Sequence, residues 1–273
     1  MKIDLGCGTR KQPGYIGLDR TKMPGVDIIC DLNDKIPLED DTVEYVIASH
    51  SLEHVDNLIS TMEEIYRVCK HKARICIVAP YYNTSLNIAN PYHKQVFNEH
   101  TPRFFTSNNQ SLIPSEDYAF PHAKLWGLGQ SDHSNLKMDF RCLAMEFFYF
   151  PPYRNLPEDV KRELRNSRAN VVDQIMYQLL VVKQKISDYE IIQIAKSGSF
   201  EEPNYVTIRR LNEKLEDITN KYEVEIKEYQ DQLEQIKTQF EIYKAEVTIN
   251  IENLQHEIKS QQMIADDITK KNV

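Results

Sequence analysis

Long apolar runs are missing from this chain of 273 residues. No stretch approaches the roughly 20 residues a membrane-spanning helix needs, and the first residues do not form a signal peptide. A cytoplasmic protein is therefore expected. Basic excess is missing too. The formal net charge is −8, which disfavours a general binder of phosphate backbones, and no nucleic-acid partner is expected. Cysteine is sparse and odd in number, with five residues and no C-x-x-C pair. Neither a disulfide framework nor a zinc site follows. Most of these cysteines sit in apolar runs, as buried free thiols do, and none is read as a nucleophile. Beyond Pro203 there is neither proline nor glycine, so nothing there breaks a helix.

What is present in the first half is alternation. Candidate strands are Lys2–Leu5, Tyr15–Leu18, Asp27–Cys30, Glu44–Ala48 and Arg74–Ala79. Several are continuous apolar runs, as strands buried on both faces require. Between the last two, Leu58, Ile59, Met62, Ile65, Tyr66 and Cys69 recur at three- and four-residue steps, one face of a helix. The pattern predicts an α/β domain with a mainly parallel sheet. A late strand is expected over Cys142–Phe150, and helix over Leu156–Lys185. After Pro203, apolar residues recur from Ile208, Leu211, Leu215, Ile218 and Tyr222 through Ile226, Tyr229, Leu233, Ile236, Phe240, Tyr243 and Val247. This is a heptad repeat with one stutter, weaker through Leu254, Ile258 and Ile268. Such a stripe needs a second copy or a partner helix to cover it. The expected organisation is a catalytic domain over 1–150, a helical extension and linker over 151–203, and a coiled coil over 204–273 that makes a homo-oligomer or holds a partner.

The chemical signal lies at the start, in Ile3-Asp4-Leu5-Gly6-Cys7-Gly8 and then Gly17-Leu18-Asp19. A strand running into Gly-x-Gly lets the backbone turn tightly and a ligand approach closely. A second strand ending in a carboxylate places an acceptor for ribose hydroxyls, at the strand ends where open α/β sheets bind ligands. A dinucleotide fingerprint would have a third glycine where Lys11 stands, and its acid about 20 residues further on. A nucleoside without phosphate fits better than NAD.

These residues resemble the class I S-adenosylmethionine-dependent methyltransferases. Asp4-Leu5-Gly6-Cys7-Gly8 is similar to the family's first motif and Gly17-Leu18-Asp19 to its second-strand acid. Asp31-Leu32 resembles the position beside adenine. Ser49-His50-Ser51-Leu52-Glu53-His54-Val55 resembles the segment after the fourth strand. Glu63–Val68 followed by Arg74–Pro80 looks like the next helix and fifth strand. The resemblance covers residues 1–106 well and 107–200 loosely. It implies a Rossmann-like seven-stranded sheet with one antiparallel strand and helices on both faces, and S-adenosylmethionine as cofactor. The implied cofactor set is Asp4, Leu5, Gly6, Cys7, Gly8, Asp19, Arg20, Asp31, Leu32 and Ser49, with Gly6 and Gly8 flanking the amino-acid end. Two departures stand out. The link Thr9–Gly14 is about half the length of a helical crossover, and Lys72-Ala73 replaces the usual glycine pair before the fifth strand.

Methyl transfer requires a nucleophile aligned behind an already activated methyl, and a base when the acceptor carries a proton. His50, His54, His93 and His100 are the candidates, with His54 and His93 placed first. Tyr81, Tyr82 and His100 are expected to line the acceptor site. A lid is expected from 81–125. The spacing of His93 and His100, with Glu99, is not a ligand signature, so no metal is expected. The aromatic, amide-rich stretch 81–126 suits a sugar or glycan-linked acceptor methylated on O or N. The competing expectation is an inactive methyltransferase-fold scaffold that works through its coiled coil.

Overall fold

The computed structural model describes residues 1–108, 112–118, 136–198 and 200–271. Met1–Thr207 form one compact unit and Ile208–Val273 a second. In the first unit seven strands make one sheet: β1 (Lys2–Leu5), β2 (Ile16–Asp19), β3 (Ile28–Ile29), β4 (Val43–Ser49), β5 (Cys69–Pro80), β6 (Phe140–Tyr149) and β7 (Val172–Val181). Their order is β3-β2-β1-β4-β5-β7-β6. The first five run parallel, and β7 lies antiparallel to both β5 and β6.

Strands β1 to β4 begin within a residue of the expected runs, and β5 begins five residues before Arg74. One face carries Ile3, Leu5, Val46, Ala48, Ile75, Ile77 and, from β7, Ile175, Tyr177, Leu179 and Val181. Helix α1 (Leu58–Val68) covers this face with Met62, Ile65 and Val68, all fully buried. Asn57 caps it by accepting from Ser60 N at 3.1 Å, which satisfies one of the free N–H groups of the first turn. Cys69, expected as the last residue of the helical stripe, instead opens β5. Lys72 then takes a left-handed φ of 66° where the β4–β5 register shifts between Val43 and Tyr45. Lys72-Ala73 thus lie within β5 at this irregularity, and not in a turn before the strand.

One expectation is corrected here. Leu156–Lys185 is not one helix. After α2 (Ser85–Ala89) and α3 (Pro151–Arg154), helix α4 covers only Glu158–Ser167, and Val172–Val181 enters the sheet as β7. A continuous apolar run looks alike in a buried helix and a strand buried on both faces. Here the sheet decides, because β7 fills the gap between β5 and β6. Helices lie on both faces, α1 on one and α5 on the other. No helix links β1 to β2, β2 to β3 or β3 to β4. Carboxylates hold these short links instead. Asp4 accepts from Gln12 N at 2.7 Å, and Asp27 accepts from Gly17 N and Lys11 Nζ, both at 2.8 Å.

The second face is covered by helix α5 (Asp188–Lys196), whose Ile191 packs on Leu143, Leu180 and Val182, and by residues 200–207. Within that strap Glu201 is held from three sides. Its N–H donates to Tyr45 Oη at 2.6 Å, its C=O accepts from Tyr45 Oη at 2.7 Å, and its carboxylate takes Tyr15 Oη and Lys2 Nζ. Val206, fully buried, packs with Tyr45, Ile47, Cys76, Val78 and Met176.

Helix α6 (Asn204–Lys271) is 68 residues long, about 100 Å at 1.5 Å per residue. Within the second unit, residues of the heptad stripe such as Leu211, Ile218, Tyr229 and Ile236 are more than half exposed. No helix among the described residues is long and apolar enough to cross a membrane.

Candidate functional site

The Gly-x-Gly turn follows β1 directly. Gly6 and Gly8 both have positive φ, 67° and 51°, a region that penalises residues with a Cβ. At Gly6 space forbids one as well, since a Cβ would lie 2.3 Å from Ser51 Cβ. Gly6 N and Cys7 N both donate to Leu18 O, at 2.8 and 3.2 Å, which ties the turn to the tip of β2. There Asp19 accepts from Gly8 N at 3.0 Å and from Thr21 N at 2.9 Å. These bonds fix the carboxylate and leave a lone pair on each oxygen.

A cavity of about 390 Å3 opens at these strand tips, the size of a small-ligand site. Gly6, Asp19, Arg20, Asp31 and Leu32 of the expected cofactor set line it, and so does His54. Thr21, Met23, Cys30, Asn33, His50, Ser51, Val55 and Tyr92 complete the wall. Asp31 accepts from Asn33 N and Asn33 Nδ2, both at 2.9 Å, and Asn33 Oδ1 accepts from Asp56 N at 2.6 Å. The other expected cofactor residues lie behind the wall. Leu5 is core. Asp4 holds Gln12, and its burial raises its pKa against that hydrogen bond. Ser49 Oγ donates to Tyr205 Oη at 3.3 Å. Burial, reinforced by the charges of Asp4 and Asp19, pushes the Cys7 thiol up to about 11, so it stays protonated and inert at neutral pH.

At one end of the cavity three histidines surround Glu53, whose side chain is 1% exposed. Glu53 Oε1 lies 3.5 Å from His50 Nδ1 and 4.0 Å from His54 Nε2. Glu53 Oε2 is buried without a hydrogen-bond partner. His93 stacks edge-on against His54, with ring centres 4.8 Å apart. The chain returns there because the Glu53 carbonyl accepts from both Lys94 N and Gln95 N, at 2.7 and 3.0 Å. Burial lowers the pKa of His50, but the Glu53 carboxylate more than offsets this, and the net shift is upward. His93 is shifted downward by burial, against the pull of Glu53. His50 holds a left-handed φ of 51°, an uncommon conformation for a residue with a Cβ and one that clusters at functional sites.

The expected acceptor residues separate. Tyr81 is 1% exposed, donates to Glu99 Oε2 at 2.8 Å and packs edge-on against Phe147. It is a core residue and does not face an acceptor. Tyr82 is 39% exposed. His100 lines a second cavity of about 580 Å3 with Asn57, Gln95, Asn98 and Phe104. Val55 faces the first cavity and Asp56 the second. Of the expected lid, residues 109–111 and 119–125 lie outside those described, and Tyr92 is the part that lines the cofactor cavity. Glu53 and Asn33 were missed as site residues. The only sequence signal for Glu53 was its place between His50 and His54.

Residues 3–77 match the family model for a methyltransferase domain. The strand order and the single antiparallel strand are methyltransferase-like. The methyltransferase domain implies S-adenosylmethionine as its cofactor, and the residues present fit it: a turn without side chains at Gly6, a carboxylate at Asp19 held by Gly8 N and Thr21 N, and a cavity the size of a small-ligand site. Among solved structures, the S-adenosylmethionine-dependent methyltransferase of Archaeoglobus fulgidus is 17% identical, covering 66% of this chain and 85% of its own, with a TM-score of 0.41. The methyltransferase complexed with the Haloferax volcanii Trm112 activator is 14% identical, covering 68% and 83%, with a TM-score of 0.38. No curated protein matches the chain.

Asp19→Ala is expected to weaken S-adenosylmethionine binding about 10- to 100-fold, the worth of about 1.5–3 kcal/mol for hydrogen bonds to a charged group. Titration calorimetry checks this, and wild-type affinity in the variant would remove Asp19 from the site.

Proposed function

We propose that the protein transfers the methyl group of S-adenosylmethionine to an oxygen or nitrogen of a small acceptor, a sugar or glycan-linked molecule. The observation that supports this is that His50 and His54 line the same cavity as Asp19, with Glu53 and His93 packed beside them. The cofactor supplies a methyl on a sulfonium, already activated for attack. The chain supplies alignment, and His54 and His93 are the groups that would take the acceptor's proton. The second cavity supports a polyhydroxylated acceptor, since it offers the amides of Asn57, Gln95 and Asn98 beside Phe104. The acidic chain and the seating of Ser49-His50-Ser51-Leu52 after β4 speak against a nucleic-acid acceptor.

The exposed stripe of α6 favours self-association, because a helix of this length cannot bury its apolar residues alone. It also supports a second possibility, a scaffold that retains the fold and acts through its helix. Calorimetric titration with S-adenosylmethionine, S-adenosylhomocysteine and NAD separates the two. Micromolar binding of both sulfur nucleosides and none of NAD is expected. Binding of neither would leave the scaffold. Methyl transfer from labelled cofactor to a panel of sugars, with peptides as the comparison, then tests the acceptor class.

A further inference from the structure

The protonation pattern around Glu53 has one feature that an acid–base role does not require. His54 Nδ1 lies 3.0 Å from Tyr92 O. A backbone carbonyl only accepts, so Nδ1 carries the proton, and Nε2 of the neutral ring carries the lone pair. Asn87 Nδ2 donates to the carbonyls of Tyr81 and Tyr82, which fixes its amide with Oδ1 as acceptor. His93 Nδ1 lies 2.6 Å from that oxygen and so is protonated as well, leaving the His93 lone pair on Nε2. Glu53, His54 and His93 each offer one ligand atom, and these lie within 4.8 Å of one another. Glu53 Oε2 has no donor. Among Glu53, His54 and His93 no proton is therefore assigned, and Nδ1 of each of the two imidazoles is held by an oxygen. Metal-ligating histidines are oriented in this way.

The geometry points to a divalent transition-metal site formed by Glu53, His54 and His93 at the rim of the cofactor cavity. Two imidazoles and one carboxylate suit zinc, cobalt, nickel or iron better than magnesium or calcium, which take oxygen ligands. For bonds of about 2.0–2.1 Å, tetrahedral ligands sit roughly 3.3 Å apart, so closing the site needs small ring movements. Three protein ligands leave a position open, the arrangement of sites that engage a substrate. Because His54 also lines the cofactor cavity, that position would hold an acceptor oxygen near the transferred methyl. Metal binding would occupy the lone pairs of His54 and His93 that are otherwise available to the acceptor's proton. The site contrasts with the expectation from sequence that no metal binds. Its existence does not rest on the proposed methyl transfer, although its role does.

The test uses the full chain, stripped with chelator and titrated with Co2+ as a spectroscopic probe, in parallel with S-adenosylhomocysteine calorimetry. One equivalent of Co2+ with visible ligand-field absorption, displaced by Zn2+, is expected. His54→Ala and His93→Ala should each weaken it at least 10-fold, Asn87→Ala about 10- to 100-fold as an orienting partner, and His256→Ala not at all. S-adenosylhomocysteine binding by the same samples reports that the fold and cofactor site persist. No Co2+ absorption in protein that binds S-adenosylhomocysteine, or Co2+ affinity unchanged in both His54→Ala and His93→Ala, would overturn the site. Loss of S-adenosylhomocysteine binding with Co2+ binding intact would sink the methyltransferase proposal alone.

Discussion

Gly6→Ala is expected to lower cofactor affinity by more than 100-fold and to destabilise the domain. Two costs combine at this position. A left-handed φ of 67° costs a residue with a Cβ about 1–2 kcal/mol. The new methyl would also sit 2.3 Å from Ser51 Cβ, well inside contact distance, so the β1 turn or the segment after β4 must move. Both line the cofactor cavity, and the shift transmits directly to the ligand. Gly8→Ala is the comparison. Its φ of 51° carries the same backbone penalty, but nothing lies within 4 Å of the added Cβ. Thermal melts with calorimetry read both variants. Equal loss in the two would make backbone strain, and not the Ser51 contact, the reason for glycine at position 6.

Shortening the chain at Ser199 is expected to cost the first unit much of its stability, whereas ending it at Thr207 should leave that unit intact. The strap between these positions covers the second face of the sheet. Removing it uncovers the apolar pocket that holds Val206, worth about 1.5–3 kcal/mol for a fully buried side chain of that kind. It also deletes the bonds of Glu201 to Tyr15, Tyr45 and Lys2, each contributing about 0.5–1.5 kcal/mol net. Against a total of about 5–15 kcal/mol for an ordinary domain, this loss should appear as a large drop in denaturant midpoint. Light scattering on the chain ending at Thr207 tests α6 separately. A subunit number equal to that of the full chain would remove the coiled-coil proposal.

That Gly6 and Asp19 come together at one cavity was legible because local backbone demands produced it. Gly6 and Asp19 follow their strands directly, and only certain residues satisfy a left-handed turn or a ribose hydroxyl. Asp31 and Leu32, expected there from the family resemblance, line the same cavity. The domain's edges were harder to read. The run Ile175–Val182 carries no period that separates helix from strand, and its antiparallel place between β5 and β6 depends on partners about 100 and 35 residues away. The break in composition at Pro203 was visible, but the compact unit extends to Thr207 because Tyr205 and Val206 find partners on the sheet.

The histidines show the same division. By itself the sequence determined which groups are present: five imidazoles from position 50 to position 100, Glu53 between the first two of them, a Gly-x-Gly turn and a heptad tail. Each follows from side-chain chemistry or from a short-range period, which neighbouring residues are enough to set. Only the tertiary structure decided that His93 returns to His54, that Tyr81 is core, and that Glu53 lies buried with a free oxygen among three rings. Those outcomes depend on long-range contacts, above all the two amides of Lys94 and Gln95 on the Glu53 carbonyl. Local sequence does not encode a contact some forty residues away, because its free energy exists only once both segments are held against the same sheet.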